Sequence, residues 1–136
     1  MKIEAYFTGA AVDAGSLAGA TAVVIDVIRA TSTLLEALVN GARGVYPTES
    51  IEEAVQLAAS LGREDTLLTG ERKGLKVEGF DLGNSPREFR RDVVEGRQVV
   101  MTTTNGTRAF LAVAGARRVV SGAFSNLSAV VESVQD

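Results

Sequence analysis

The run Thr21-Ala22-Val23-Val24-Ile25-Asp26-Val27 constrains this chain more than any other stretch. Its apolar character is nearly continuous, which marks a strand covered on both faces rather than one facing water. Such a strand needs layers above and below it, and the neighbouring sequence supplies helices. Ala30-Thr31-Ser32-Thr33 opens a helix over Leu34 to Asn40, and Gly41 stands where a helix C-terminus favours glycine. Arg43 to Tyr46 predicts a short strand stopped by Pro47. Ser50-Ile51-Glu52-Glu53 is a capping box, in which hydroxyl and carboxylate satisfy orphan backbone N–H groups. The helix it starts carries Ile51, Ala54, Val55, Ala58 and Leu61 on one face and ends at Gly62.

The alternation continues. Thr66 to Thr69 predicts a strand, and Ser85-Pro86-Arg87-Glu88 is a second capping box, with proline at the first position of a helix ending near Gly96. Gln98 to Thr102 is another buried strand, and the polar turn after it opens a helix through Val113, which Gly115 terminates. Arg117 to Ser121 is the last strand, and Ser125 or Asn126 caps a final helix. Lys2 to Phe7 predicts one further strand at the start, followed by a loop rich in Gly, Ala and Ser. Strands alternating with helices imply βαβ units. The expected fold is α/β, a single domain over residues 1–136, with a mostly parallel sheet, helices on both faces and right-handed crossovers. Val23 to Val27 belong to its second strand.

Composition narrows the chemistry. The 136 residues are 46% hydrophobic and 23% charged, with a net charge of −3, which argues against disorder, a nucleic-acid surface and a membrane-binding patch. No apolar run approaches the roughly 20 residues of a spanning helix. The chain has neither cysteine nor histidine, so thiol chemistry, imidazole acid–base catalysis and most zinc sites are excluded, and the cytoplasm is the default compartment. Any enzyme here works with carboxylates, hydroxyls, amides, Lys and Arg, around a hard cation if it uses one.

One stretch resists assignment to a helix or strand. Gly70 to Pro86 is too long and glycine-rich for an ordinary connection, which usually runs to roughly 4–6 residues. Leu75, Val77, Phe80 and Leu82 give it side chains to bury, and Glu71, Glu78 and Asp81 stand beside Arg72, Lys73 and Lys76. A loop that gathers both signs of charge while packing itself down is a candidate site. In parallel sheets ligands sit beyond the carboxyl ends of the strands. Asp26 and Arg29, Glu71 and Arg72, Thr102 to Thr107, and Ser121 to Asn126 all follow predicted strands. Each group also has a structural alternative. A buried Asp26 can simply accept backbone N–H bonds, and the carboxylates can form surface ion pairs with Arg72 and Lys76. Thr102-Thr103-Thr104-Asn105-Gly106-Thr107 could be a plain N-cap, although one hydroxyl or amide would suffice for that. As a glycine-containing helix start it presents free N–H groups to an anion. Thr31 to Thr33, behind Arg29, form a second such start.

These residues carry a resemblance. Val24-Ile25-Asp26-Val27-Ile28-Arg29-Ala30-Thr31, the Gly70 to Pro86 loop, Thr102 to Ala109 and Gly122-Ala123-Phe124-Ser125-Asn126 together resemble the 2-phosphosulfolactate phosphatase (ComB) family. Lys73, where a small residue is expected, and Ser125, where an apolar one is, depart from its pattern. The resemblance implies an α/β enzyme that uses Mg²⁺ to remove phosphate from 2-phosphosulfolactate, giving sulfolactate on the route to coenzyme M. It also implies that these residues correspond to the N-terminal part of a longer family chain.

Resemblance and strand-end rule together give a candidate set. Asp26, Arg29, Glu71, Arg72 and Asp81 are the catalytic candidates, and Asp26, Glu71 and Asp81 the Mg²⁺ ligands. Thr31, Lys76, Asn84, Ser85, Thr102, Thr103, Thr104, Asn105, Gly106, Thr107 and Asn126 are the substrate-binding candidates. The expected partner is a small phosphorylated acid, with no nucleic acid and no membrane; a homo-oligomer is compatible with it. The nucleophile is either water or Asp26, which would form an aspartyl-phosphate as in haloacid-dehalogenase-type phosphatases. Those enzymes place a second Asp two residues on, where this chain has Ile28. A binding module that holds the metabolite without turnover is the remaining alternative, and carboxylates beside the anion cradles weigh against it.

Overall fold

The computed structural model describes residues 2–135 and is a mixed α/β structure. The first strand, β1 (Thr21–Ile25), follows two single-turn 3-10 segments and leads through a turn into α1 (Ala30–Val39). A short strand β2 (Gly44–Pro47) precedes α2 (Ile51–Leu61). The capping box of α2 forms: Glu53 N–H donates to Ser50 Oγ at 3.0 Å, and Glu53 Oε2 accepts from the N–H of Glu49, one residue before the expected donor, at 2.8 Å. There follow β3 (Thr66–Arg72), β4 (Leu75–Lys76), α3 (Arg91–Val94), β5 (Gln98–Thr102), α4 (Gly106–Ala112), β6 (Arg118–Gly122) and α5 (Leu127–Gln135).

The strands form two sheets. One has the order β2-β5-β3-β4, parallel except for the β3–β4 pair, and the other is the parallel pair β1-β6. Helices lie on both faces of the larger sheet, as strand alternation shows. Leu68 and Val100 point to the side where Ala54 and Ala58 of α2 join Val77 and Phe80. Leu67, Val99 and Met101 point to the other side, where Ala37 of α1 meets Phe89 and Val94. Phe89, Val94, Val99 and Val100 are fully buried, so this sheet carries the main core. Each such side chain stabilises by about 1.5–3 kcal/mol relative to exposure.

Several expectations need correction. Lys2 to Phe7 forms no strand: its residues are exposed and pair with no strand among the described residues. The single sheet containing Val23 to Val27 is split, because β1 pairs only with β6 among the described residues. Helices bridge the gap, α1 touching β2 and β6, and α4 touching β1 and β2. The helix expected from Pro86 to Gly96 is a 3-10 turn, Pro86–Glu88, followed by the single-turn α3. The capping box forms in part, the Glu88 carboxylate taking the N–H groups of Gly83 and Ser85 at 2.9 and 3.3 Å, and the break falls after it, where Phe89 and Arg90 leave the helical region with ψ of 47° and 155°. The long loop is also more regular than expected, since Gly70, Glu71 and Arg72 extend β3 and the last two of them pair with β4.

Candidate active site

The carboxyl ends of β1, β3 and β5 meet at a cleft of about 250 Å³. The β1–α1 turn contributes Asp26, Ile28 and Arg29; the β3–β4 hairpin contributes Glu71, Lys73 and Gly74. Thr103, Thr104 and Asn105 enter from the β5–α4 turn, and Asn84 from the stretch before Pro86.

Asp26 is held by its own turn. Its N–H donates to Thr31 Oγ1 and its carbonyl accepts from the N–H of Thr31, both at 3.0 Å. Burial pushes its carboxyl above the ordinary range and the nearby Glu71 charge adds to this; the Ala30 N–H and Arg29 offset only part of the rise. Gly106 closes over the same carboxylate. A Cβ there would overlap that of Ala30 and stand 2.7 Å from Asp26 Oδ2, so only glycine lets α4 approach α1 this closely.

Glu71 is a clamp between two loops. Its Oε1 accepts from the N–H of Thr104 at 2.6 Å and its Oε2 from the N–H of Gly74 at 2.7 Å. Burial pushes its carboxyl up, but the N–H groups of Thr104 and Gly74, the Thr104 hydroxyl and Arg29 outweigh this and leave it lowered. Two carboxylates in one cleft are thus driven in opposite directions, Asp26 toward holding a proton and Glu71 toward staying ionised.

In the β5–α4 turn two of the four threonine hydroxyls serve the turn itself. Thr103 N–H donates to Thr107 Oγ1 at 3.2 Å, Thr107 N–H returns to Thr103 Oγ1 at 3.1 Å, and Thr107 Oγ1 donates to the Thr103 carbonyl at 3.0 Å. Thr102 is fully buried and its hydroxyl accepts from Arg72 at 2.8 Å. The N–H groups of Asn105 and Gly106 have no protein acceptor among the described residues. Backbone amides, rather than a row of hydroxyls, are therefore what this turn offers an anion.

The remaining candidates divide. Asn84 lines the cleft, is buried, and leaves its Oδ1 without a hydrogen-bond partner. Thr31 supports Asp26 from behind and is fully buried. Arg72 turns away from the cleft, donating to the carbonyls of Glu71 and Glu49 and to Thr102 Oγ1. Lys76 is exposed on β4, and Ser85 belongs to the capping box with Glu88. Asp81 lies outside the cleft. Its carboxylate takes both oxygens' bonds from Arg63 Nη2, at 3.1 and 3.0 Å, and accepts the Leu68 N–H at 2.7 Å near the opposite end of β3. Asn126 is also elsewhere: it caps Ala123 and bonds the Ser121 carbonyl, beside an apolar groove between β1, β6 and α5.

Ile28, Lys73 and Gly74 line the cleft but are absent from the candidate set of the sequence. The signal for the latter two is a lysine–glycine pair flanked by strand residues, which marks a two-residue hairpin turn. Among the described residues no three or more Asp or Glu side chains gather to hold a metal ion, so the expected Asp26–Glu71–Asp81 set is not assembled. What does face the cleft is a set of hard oxygen donors: the Asp26 carboxylate, the unpartnered Asn84 Oδ1 and the spare lone pairs of Glu71. That donor set suits Mg²⁺, which takes few protein ligands and keeps several waters.

Comparison with known proteins decides the family. The family model described as 2-phosphosulpholactate phosphatase matches residues 6–136. The chain belongs to this family. A Clostridium perfringens (strain SM101) protein named probable 2-phosphosulfolactate phosphatase is 46% identical over 139 residues, covering 100% of this chain and 56% of the relative. A Thermotoga petrophila protein of the same name is 50% identical over 112 residues, covering 82% of this chain and 47% of the relative. One from Caldanaerobacter subterraneus is 43% identical over 134 residues, covering 98% and 56%. The chain therefore spans about half the length of the curated relatives it matches. No helix of the described residues is long and apolar enough to cross a membrane.

Proposed function

We propose that this chain carries the catalytic cleft of a Mg²⁺-dependent phosphatase that hydrolyses 2-phosphosulfolactate, or a closely related small phosphorylated acid, to the free hydroxy acid and phosphate. In that role it would act in the cytoplasm, on a step toward coenzyme M. The observation that carries the reading is the meeting of Asp26 and Glu71 with the open amides of the β5–α4 turn. A receptor for anions alone has little use for two carboxylates, Asp26 and Glu71, beside its anion.

Asp26, Asn84 Oδ1 and Glu71 are the residues that would hold Mg²⁺. Bound there, the ion supplies positive charge against the phosphoryl oxygens. Arg29 and the amides of Asn105 and Gly106 hold the remaining phosphate oxygens. Glu71, fixed by two N–H donors, keeps the hairpin and the β5–α4 turn at a constant separation, so these donors are placed before substrate arrives. Water's oxygen bonds to phosphorus, the bond from phosphorus to the ester oxygen breaks, and the departing oxygen takes a proton to become the hydroxyl of the product. The test is phosphate release from 2-phosphosulfolactate with Mg²⁺ and with a chelator, by this chain and by a family-length protein containing it. Mg²⁺-dependent release is expected, and no release from this substrate or other phosphorylated acids in either protein overturns the reading.

A further inference from the structure

We propose that Lys73 is the specificity-determining cation of this cleft, binding the second acidic group of a phosphorylated acid while Arg29 and the Asn105 and Gly106 amides hold its phosphate. The inference rests on the phosphatase reading of the same cleft. It begins with an anomaly in the β3–β4 turn. Lys73 and Gly74 occupy its two central positions, with φ of +53° and +81°. Positive φ at both positions defines a turn that favours Asn, Asp or Gly at the first of them. A residue with a Cβ is disfavoured in the left-handed region, and lysine has no short polar group to compensate. Its side chain is exposed, so the hairpin gains no packing from it. The fold gives no reason for a lysine here.

The cleft does. Its lining cations are Arg29 and Lys73. Arg29 makes one bond inside the cleft, Nη2 to the Gly74 carbonyl at 3.4 Å, and its charge acts on both Asp26 and Glu71, which sets its remaining N–H groups beside the phosphate donors of the β5–α4 turn. Lys73 has no ion-pair or side-chain hydrogen-bond partner among the described residues. It is a hydrated point charge on a flexible stem at the rim, the form of cation that suits a carboxylate or sulfonate extending outward from a phosphate bound deeper in. The turn places that charge beside Gly74, whose N–H is fixed by Glu71, so the turn that bears Lys73 is tied to a carboxylate of the cleft.

The test titrates the chain, with Mg²⁺ present, using 2-phosphoglycolate (phosphate plus carboxylate) and methyl phosphate (phosphate alone). The parent is expected to bind 2-phosphoglycolate the more tightly. Lys73→Gly, which suits the positive φ and so keeps the fold, should weaken 2-phosphoglycolate by about fivefold at low salt and leave methyl phosphate within twofold. Added salt should close the gap, and Lys73→Asn should behave as Lys73→Gly does. Equal loss of both probes, or no loss of either, overturns the role of Lys73 and leaves the phosphatase reading standing. A parent that binds neither probe overturns the role of Lys73, and overturns the phosphatase reading with it when the family-length protein also releases no phosphate.

Discussion

Replacing Gly106 by alanine sets helix propensity against packing at the point where two helix starts meet the Asp26 carboxylate. Propensity alone favours alanine by up to about 1 kcal/mol in a helix interior, and by less at the first residue of α4. Packing opposes it. The new methyl would overlap the Ala30 methyl and approach Asp26 Oδ2 to 2.7 Å and Thr103 Oγ1 to 3.3 Å. Ala30 is 2% exposed and its Cβ has no rotamer by which to retreat, so α1 and α4 must part. Overpacking of this kind costs about 1–3 kcal/mol, which exceeds the propensity gain. Gly106→Ala should therefore lose about 1–2 kcal/mol in urea denaturation with an unchanged slope. Phosphate binding should weaken with it, because the Gly106 amide moves away from Asp26. The double variant Ala30→Gly/Gly106→Ala should recover part of the phosphate binding, since it removes the methyl that the first change strikes and leaves the contact with Asp26 Oδ2. A Gly106→Ala chain as stable as the parent, or more so, would refute the close approach of the two helices.

Glu71→Gln should cost about 1.5–3 kcal/mol at pH 7, one charge-assisted bond being lost when an amide NH₂ faces a backbone N–H. Because the folded carboxyl is lowered, its contribution is present above the unfolded value and lost as pH falls through the folded one. Denaturation curves of variant and parent should therefore converge on acidification. Asp26→Asn should have the opposite sign. The folded carboxyl is raised, so ionisation costs stability above the unfolded value, and the variant should be the more stable at pH 7 without metal while binding Mg²⁺ more weakly. Asp81→Asn should destabilise by about 1–2 kcal/mol through its bonds to Arg63 and Leu68, with the Mg²⁺ midpoint unmoved; a shifted midpoint would bring Asp81 back to the metal.

Local signals were legible in the sequence and non-local ones were not. The apolar runs at Val23 and Val99 and the capping box at Ser50 act over a few residues, and they gave β1, β5 and α2 nearly to the residue. The strand-end rule assigns Asp26, Glu71 and Thr103 to Asn105 to one edge of the fold, and they line one cleft. The split into two sheets was not legible, because it depends on how α1 and α4 wedge between β1 and β2. The placement of Asp81 was hidden for a similar reason. Its partner Arg63 is 18 residues away, and nothing in the spacing distinguishes an ion pair that anchors a loop from a carboxylate that faces a ligand. The free N–H groups of the β5–α4 turn are legible as an anion cradle, whereas the use of the Thr103 and Thr107 hydroxyls to close the turn itself is not.

The central claim is that one cleft takes both the metal and the phosphate. It is tested most directly by adding Mn²⁺, a paramagnetic stand-in for Mg²⁺, together with inorganic phosphate to the ¹⁵N-labelled chain and recording which amide signals broaden. Broadening should centre on Ile28, Arg29, Gly74, Asn84 and Asn105, which line the cleft, and should spare Asp81 and Asn126. Broadening centred on Asp81 or Asn126, or none at all, would contradict the account.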